Sequence, residues 1–99
     1  MDSISNTALD VAHDEEASRY ELTRAGELIG LIDYRRRNGS LDMTHTEVFP
    51  AVRGQGLGAV LVRNALDDVR ERGEKVIPSC WFVREFIDAN PDYVDLLAR

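Results

Sequence analysis

Ninety-nine residues with 43% apolar side chains give one modest hydrophobic core and leave no room for a separate substrate domain. A formal net charge of -6 and a sequence pI of about 4.8 argue against a nucleic-acid surface, and no apolar run approaches the ~18 residues of a membrane span. The single cysteine excludes an internal disulfide and suits a reducing compartment, so a cytoplasmic protein is expected, without a signal peptide's basic-then-apolar opening.

The acidity is concentrated at the start. Asp2, Asp10, Asp14, Glu15 and Glu16 fall in residues 1–16 without a lysine or arginine among them, which leaves the rest close to neutral. This stretch reads as a disordered acidic leader in which His13 is solvated, and residues 17–99 as a single domain. From Ser18 to Arg24, Tyr20 and Leu22 share one face of a strand; Ala25-Gly26 supplies a turn. Glu27 to Arg37 follows as an almost two-sided strand carrying Leu28, Ile29, Leu31 and Ile32. Asn38-Gly39 is the strongest hairpin signal in the chain. In the strand from Leu41 to Val48, period two puts Leu41, Met43 and His45 on one face but Val48 on the other. A bulge near Thr46-Glu47 reconciles the two phases.

From Gly56 to Arg72 the residues Leu57, Val60, Leu61, Ala65, Leu66 and Val69 keep helical spacing, and Gly73 supplies a stop. Lys75 to Cys80 is read as a further strand, parallel to the one before the helix because a helix connects them. Trp81 to Ala89 places Phe82, Val83, Phe86 and Ile87 on one helical stripe, and Asn90-Pro91 opens a last short helix. The expected order is therefore β-β-β-α-β-α-α, an α+β domain. Its ligand crevice lies at the carboxyl ends of the parallel pair.

At that crevice stands the run Val52-Arg53-Gly54-Gln55-Gly56-Leu57-Gly58-Ala59, directly before the helix. Alternate glycines let backbone N–H groups approach a ligand, and the helix dipole points its positive end the same way, which makes an anion site, most naturally for a pyrophosphate. A nucleotide-hydrolysing loop would need Lys-Ser or Lys-Thr after its last glycine, where this chain has Ala59-Val60. Gly54-x-Gly56-x-x-Ala59 also matches a dinucleotide fingerprint, but the doubly wound sheet and ribose-binding acid which that motif needs do not follow.

Read from Arg53, the loop is Arg53-x-x-Gly56-x-Gly58. With His45-Thr46-x-Val48 before it and Pro78-x-Cys80 after it, the chain resembles a branch of small single-domain proteins in the GNAT N-acetyltransferase superfamily, over about residues 12 to 95. The resemblance implies a minimal GNAT-like fold with a parallel strand pair joined by the central helix. It implies acetyl-CoA as cosubstrate, with its pyrophosphate on Arg53, Gly54, Gln55, Gly56, Leu57 and Gly58. Its pantetheine arm would pair with backbone freed by the bulge near Thr46-Glu47, with Val48 among the cofactor-binding residues, and no metal would be needed. The activity implied is transfer of an acetyl group to an amine of a small molecule or protein.

Cys80 and His45 are the catalytic candidates. Two roles fit Cys80: a nucleophile that takes the acetyl group, or an acid that protonates departing CoA. A buried structural thiol is the plain alternative. On the family pattern His45 acts as general base; otherwise it is a hydrogen-bonded sheet histidine. Arg35-Arg36-Arg37 reads as a solvated strand end rather than a clamp for the CoA 3′-phosphate, and one of Trp81, Phe82 and Phe86 is expected to touch ligand. The usual family members carry helices between their first two strands, for which this chain has no room, so the acceptor is unspecified. A CoA-binding regulatory module without turnover is the alternative function. Monomer and homodimer both fit, with no membrane or nucleic-acid partner.

Overall fold

The computed structural model describes residues 8–98. Its sheet has five strands in sequence order: β1 (Leu9–Asp14), β2 (Arg19–Arg24), β3 (Glu27–Arg37), β4 (Ser40–Val48) and β5 (Val76–Pro78). Helix α1 (Leu57–Glu71) joins β4 to β5, helix α2 (Trp81–Ala89) follows, and 3-10 turns occupy Pro50–Val52 and Pro91–Leu96. The first four strands pair antiparallel and β4 pairs parallel with β5, which is the expected α+β class with one strand more. Among the described residues no helix is long and apolar enough to cross a membrane.

The additional strand corrects the reading of residues 1–16 as a disordered leader. Leu9–Asp14 pairs with β2 from Leu9↔Arg24 to Asp14↔Arg19, and the domain therefore starts before residue 17. Partly buried Leu9, Val11 and His13 alternate with exposed Asp10 and Ala12, so one face of an acidic segment packs on the core while the acids face water. Residues 1–7 of the expected leader lie outside the described residues.

Each remaining element forms for a local reason. Asn38 and Gly39 both take positive φ (51° and 81°), the conformation a two-residue hairpin turn requires between β3 and β4. Helix α1 buries Leu57, Leu61, Val62, Ala65, Leu66 and Val69 against the sheet, each large aliphatic side chain contributing about 1.5–3 kcal/mol of transfer free energy. It stops where Glu74 N–H bonds back to the Val69 carbonyl at 3.0 Å around Gly73, whose φ is 70°. Helix α2 and the last turn join the same layer: Phe86 packs against Tyr93, whose hydroxyl donates to Asp67 of α1 at 2.7 Å. Cross-strand register puts Tyr20, Leu22, Ile32 and Tyr34 on this helix side. Arg19, Glu21, Asp33 and Arg35 alternate onto the other face of the sheet.

The bulge in β4 lies earlier than the sequence pattern places it. Asp33 pairs with His45 and Tyr34 with Met43, so Thr44 is the extra residue; its hydroxyl donates to the Asp33 carbonyl at 3.4 Å. Leu41 and Met43 face the helices before it, Thr46 and Val48 after it, and His45 moves to the opposite face from Met43.

His13 is not solvated. Its side chain is 4% exposed and its ring stacks on Tyr20, centroids 4.3 Å apart. Nε2 lies 2.6 Å from the Tyr34 hydroxyl, and Nδ1 lies 3.5 Å from Asp68, which also accepts from Tyr20 and Arg72. Burial, and then the Arg72 guanidinium, lower the His13 pKa from its ordinary 6.5. A lowered folded-state pKa means that the neutral ring stabilises the fold above pH 6.5 and that this contribution is lost as the pH falls. The stability gap between wild type and His13→Gln, read from urea unfolding, should accordingly be widest above pH 6.5 and narrow on acidification. A gap that widens in acid would refute the assignment.

Candidate functional site

The crevice is made by what β5 leaves undone. On β4, β5 reaches only Leu41, Asp42 and Met43, after which Cys80 N–H bonds to the Met43 carbonyl at 2.8 Å and the chain turns into α2. Beyond Met43, residues Thr44–Val48 of β4 have no sheet neighbour on that side. The opening has a volume of about 910 Å³ and is lined by β4 from Thr44 to Val48, by the glycine loop, and by Ser79 to Phe82.

One wall is the start of α1. Gly56 is the N-cap residue, left-handed at φ 74°, with no side-chain cap and no acidic residue in the first turn. The first N–H groups of a helix have no carbonyl within it, so this end presents free donors and a positive dipole to the crevice, undiluted by a carboxylate. The loop is braced from outside: Arg53 Nε donates to the Val48 carbonyl at 2.9 Å, and Arg24 donates to Gln55 Oε1 at 3.0 Å. Arg53, Gly54, Gly56, Leu57 and Gly58 all line the crevice with Val48, whereas Gln55 does not, its side chain being turned to Arg24. Gly58 has a further use. A Cβ there would come within 2.7 Å of the Phe82 ring, so this glycine seats an aromatic side chain of α2.

The other wall carries the reactive side chains. Cys80 is the N-cap residue of α2 and 8% exposed; its Sγ donates to Thr46 Oγ1 at 3.4 Å. His45 also lines the crevice, on the opposite face of β4 from Thr46, and its Nε2 lies 3.3 Å from Glu47 Oε1. The structure thus brings Cys80 and His45 to one opening, each with a different partner. Neither Thr46, which holds the thiol, nor Glu47 was singled out from the sequence as a site residue. The bulge at Thr44, which puts Thr46 instead of His45 on the same face as Met43, is the missing signal. Trp81 and Phe82 line the crevice; Phe86 is core. Arg35 and Arg37 pair with the buried Asp42, and Arg36 pairs with Glu74, at the hairpin end of β3 away from the loop. Among the described residues no group of three His, Cys, Asp or Glu side chains could hold a metal ion.

A glycine loop and helix start beside a half-paired strand, on a sheet of this order, define an α+β domain with an open crevice at the split of its parallel pair. The model of the GCN5-related N-acetyl-transferase family matches residues 19–96, and the chain belongs to that family. It is similar to protein NATD1 of Danio rerio, 30% identical over 89 residues, covering 87% of this chain and 80% of that protein. Its fold is that of a GCN5-like protein from Staphylococcus aureus (TM-score 0.68, 24% identity, 93% of this chain and 90% of that one). The fold also matches N-acetylglutamate synthase from Neisseria gonorrhoeae, solved with coenzyme A and N-acetyl-glutamate (TM-score 0.53, 15% identity, 85% of this chain and 23% of that one).

Because Gly56 holds a left-handed φ of 74°, a Cβ at this position is strained even though open space surrounds it. Gly56→Ala should lower unfolding stability in urea by about 1 kcal/mol. No loss would contradict the conformation described for the loop.

Proposed function

We propose that the protein binds acetyl-CoA in this crevice and transfers its acetyl group to an amine. The observation that carries the reading is the convergence of an uncapped, acid-free helix start with an unpaired stretch of β4 and the Cys80 thiol in one opening. The first N–H groups of α1 fit a pyrophosphate, and Arg53 adds a positive charge beside them. The backbone of Thr44–Val48 on the side that β5 leaves, its Val48 carbonyl held by Arg53, fits the amide-bearing pantetheine arm, which would extend the sheet where β5 departs. The thioester then lies toward Cys80 and His45.

Holding the thioester in one orientation, with backbone donors at its oxygen, supplies part of the rate enhancement. His45 takes a proton from the acceptor ammonium, and the resulting amine is the final acetyl acceptor. Cys80 takes the acetyl group in between: its sulfur displaces CoA and its proton leaves with the CoA thiolate; the amine then attacks the Cys80 thioester, the S–C bond breaks, and the proton lost by the nitrogen restores the Cys80 thiol. The acceptor reaches the site from a side without the helices found in larger family members, which suits an amine on an extended or macromolecular substrate.

Acetyl-CoA binding by calorimetry and CoA release with an amine panel test the reading together. Gly56→Glu, which puts a carboxylate at the phosphate position, should abolish binding while the variant stays folded by circular dichroism. Cys80→Ala should bind as wild type and lose transfer by roughly 10²-fold or more. Full transfer by Cys80→Ala would remove the cysteine from the mechanism. Binding without release in wild type would favour the regulatory module, a reading helped by the separate partners of His45 and Cys80.

A further inference from the structure

Thr46 carries a hydroxyl that neither the glycine loop nor the fold accounts for. Valine has the same outline and suits a strand equally well, so β4 itself does not call for an oxygen at this position. The bulge at Thr44 puts Thr46 on the same face of the strand as Met43, and there its Oγ1 accepts the Cys80 S–H at 3.4 Å. Cys80 is pinned on both sides of its backbone: its N–H donates to the Met43 carbonyl at 2.8 Å, and its carbonyl accepts from the Arg84 N–H at 3.1 Å. The sulfur is therefore kept beside the hydroxyl. Among the described residues the Thr46 hydroxyl has no other hydrogen-bond partner, which leaves its own hydrogen uncommitted. Thr46 and Cys80 both line the opening, while His45 turns to the opposite face of β4 and to Glu47.

We infer that Thr46 is a catalytic residue whose hydroxyl follows the charge on the Cys80 sulfur. The inference rests on the acetyl-transfer reading above. A hydroxyl is both donor and acceptor and rotates to suit its partner, so one oxygen serves thiol and thiolate without moving. At rest it accepts the S–H. When the sulfur bonds to the acetyl carbon, the CoA sulfur leaves and takes up the Cys80 proton. When the amine then attacks, the bond from the Cys80 sulfur to the acetyl carbon breaks and its electron pair returns to that sulfur. The Thr46 O–H donates to the thiolate so formed, until the proton lost by the nitrogen restores the thiol and the hydroxyl turns back to accept. Thr46 gives up no proton in either step; its bond is strongest while the sulfur is charged. The bulge thereby divides the work across β4, with Thr46 at the sulfur on one face and His45 left for the amine on the other.

Thr46→Val removes the hydroxyl at nearly constant shape and Thr46→Ser returns it; Thr46→Ala is a second deletion, and each variant is checked for folding by urea unfolding. Alkylation of Cys80 by iodoacetamide, followed by intact mass, reads the thiolate without any acyl-CoA. It should slow by about tenfold in Thr46→Val and Thr46→Ala, and Thr46→Ser should recover most of that loss. CoA release from acetyl-CoA with the amine panel should fall in the same pattern, by at least about tenfold. Acetyl-CoA affinity, read from the fluorescence of Trp81, the one tryptophan of the chain and part of the crevice lining, should stay within about threefold of wild type. In a Cys80→Ala background Thr46→Val should cost nothing further, because the hydroxyl acts at the sulfur. Release at the wild-type rate in Thr46→Val overturns the role of Thr46 and leaves Cys80 and CoA binding in place. Release that falls while alkylation is unchanged, or falls equally without the Cys80 thiol, overturns it as well. Wild type that binds acetyl-CoA and releases no CoA overturns the transfer reading and this inference together.

Discussion

The site depends on one mismatch in hydrogen bonding: β4 is nine residues long and β5 only three. A strand in the middle of a sheet normally satisfies its backbone on both sides, and an orphaned group away from water is costly. Here pairing on the β5 side ends at Met43↔Pro78, and the Cys80 N–H closes it with a bond to the Met43 carbonyl. On that side the β4 backbone from Thr44 onward has no strand partner, up to the Val48 carbonyl that Arg53 takes. The bulge at Thr44 coincides with the split and turns Thr46 toward the helix side, where the Cys80 thiol meets it. A β5 extended by two residues would close the opening and pull Cys80 into the ladder.

The second wall follows from the first. The chain leaving β4 turns at Pro50–Val52, is held by Arg53 against the Val48 carbonyl, and enters α1 through a left-handed Gly56. The helix start therefore faces the unpaired strand at short range and carries no side-chain cap of its own. Apolar burial along α1 fixes the helix axis on the sheet, so the direction of its dipole is set by the core and costs the site nothing further. Phe82 closes the remaining gap between the helices through the absent side chain of Gly58.

Much of this was legible in the sequence wherever a short-range signal decides the structure. Asn38-Gly39, the helical stripe of α1, the glycine loop and Gly73 each act within a few residues, and the structure has them where the pattern puts them. β1 was hidden because its solvent face is acidic and its inner face offers only Leu9, Val11 and His13; its pairing with β2 is a tertiary fact that composition obscures. The same concealment turned His13 from a buried, stacked ring into an apparent surface histidine. The bulge was inferred correctly from the phase of Val48, but phase alone does not say which residue is extra. The length of β5 was overread for a related reason: Lys75 to Cys80 has strand composition, yet Pro78 lacks an N–H and Cys80 serves the next helix as its N-cap.

Backbone amide shifts in a titration of the labelled protein with CoA address the central claim most directly, since they report where the ligand touches without relying on turnover. Large perturbations are expected at Gly54, Gly56, Gly58 and Ala59, together with the amides of Thr44 to Val48, while Arg35 to Arg37 stay still. Perturbations confined to the arginine end of the sheet, or saturation without movement in the glycine loop, would contradict the assignment of the crevice as the CoA site.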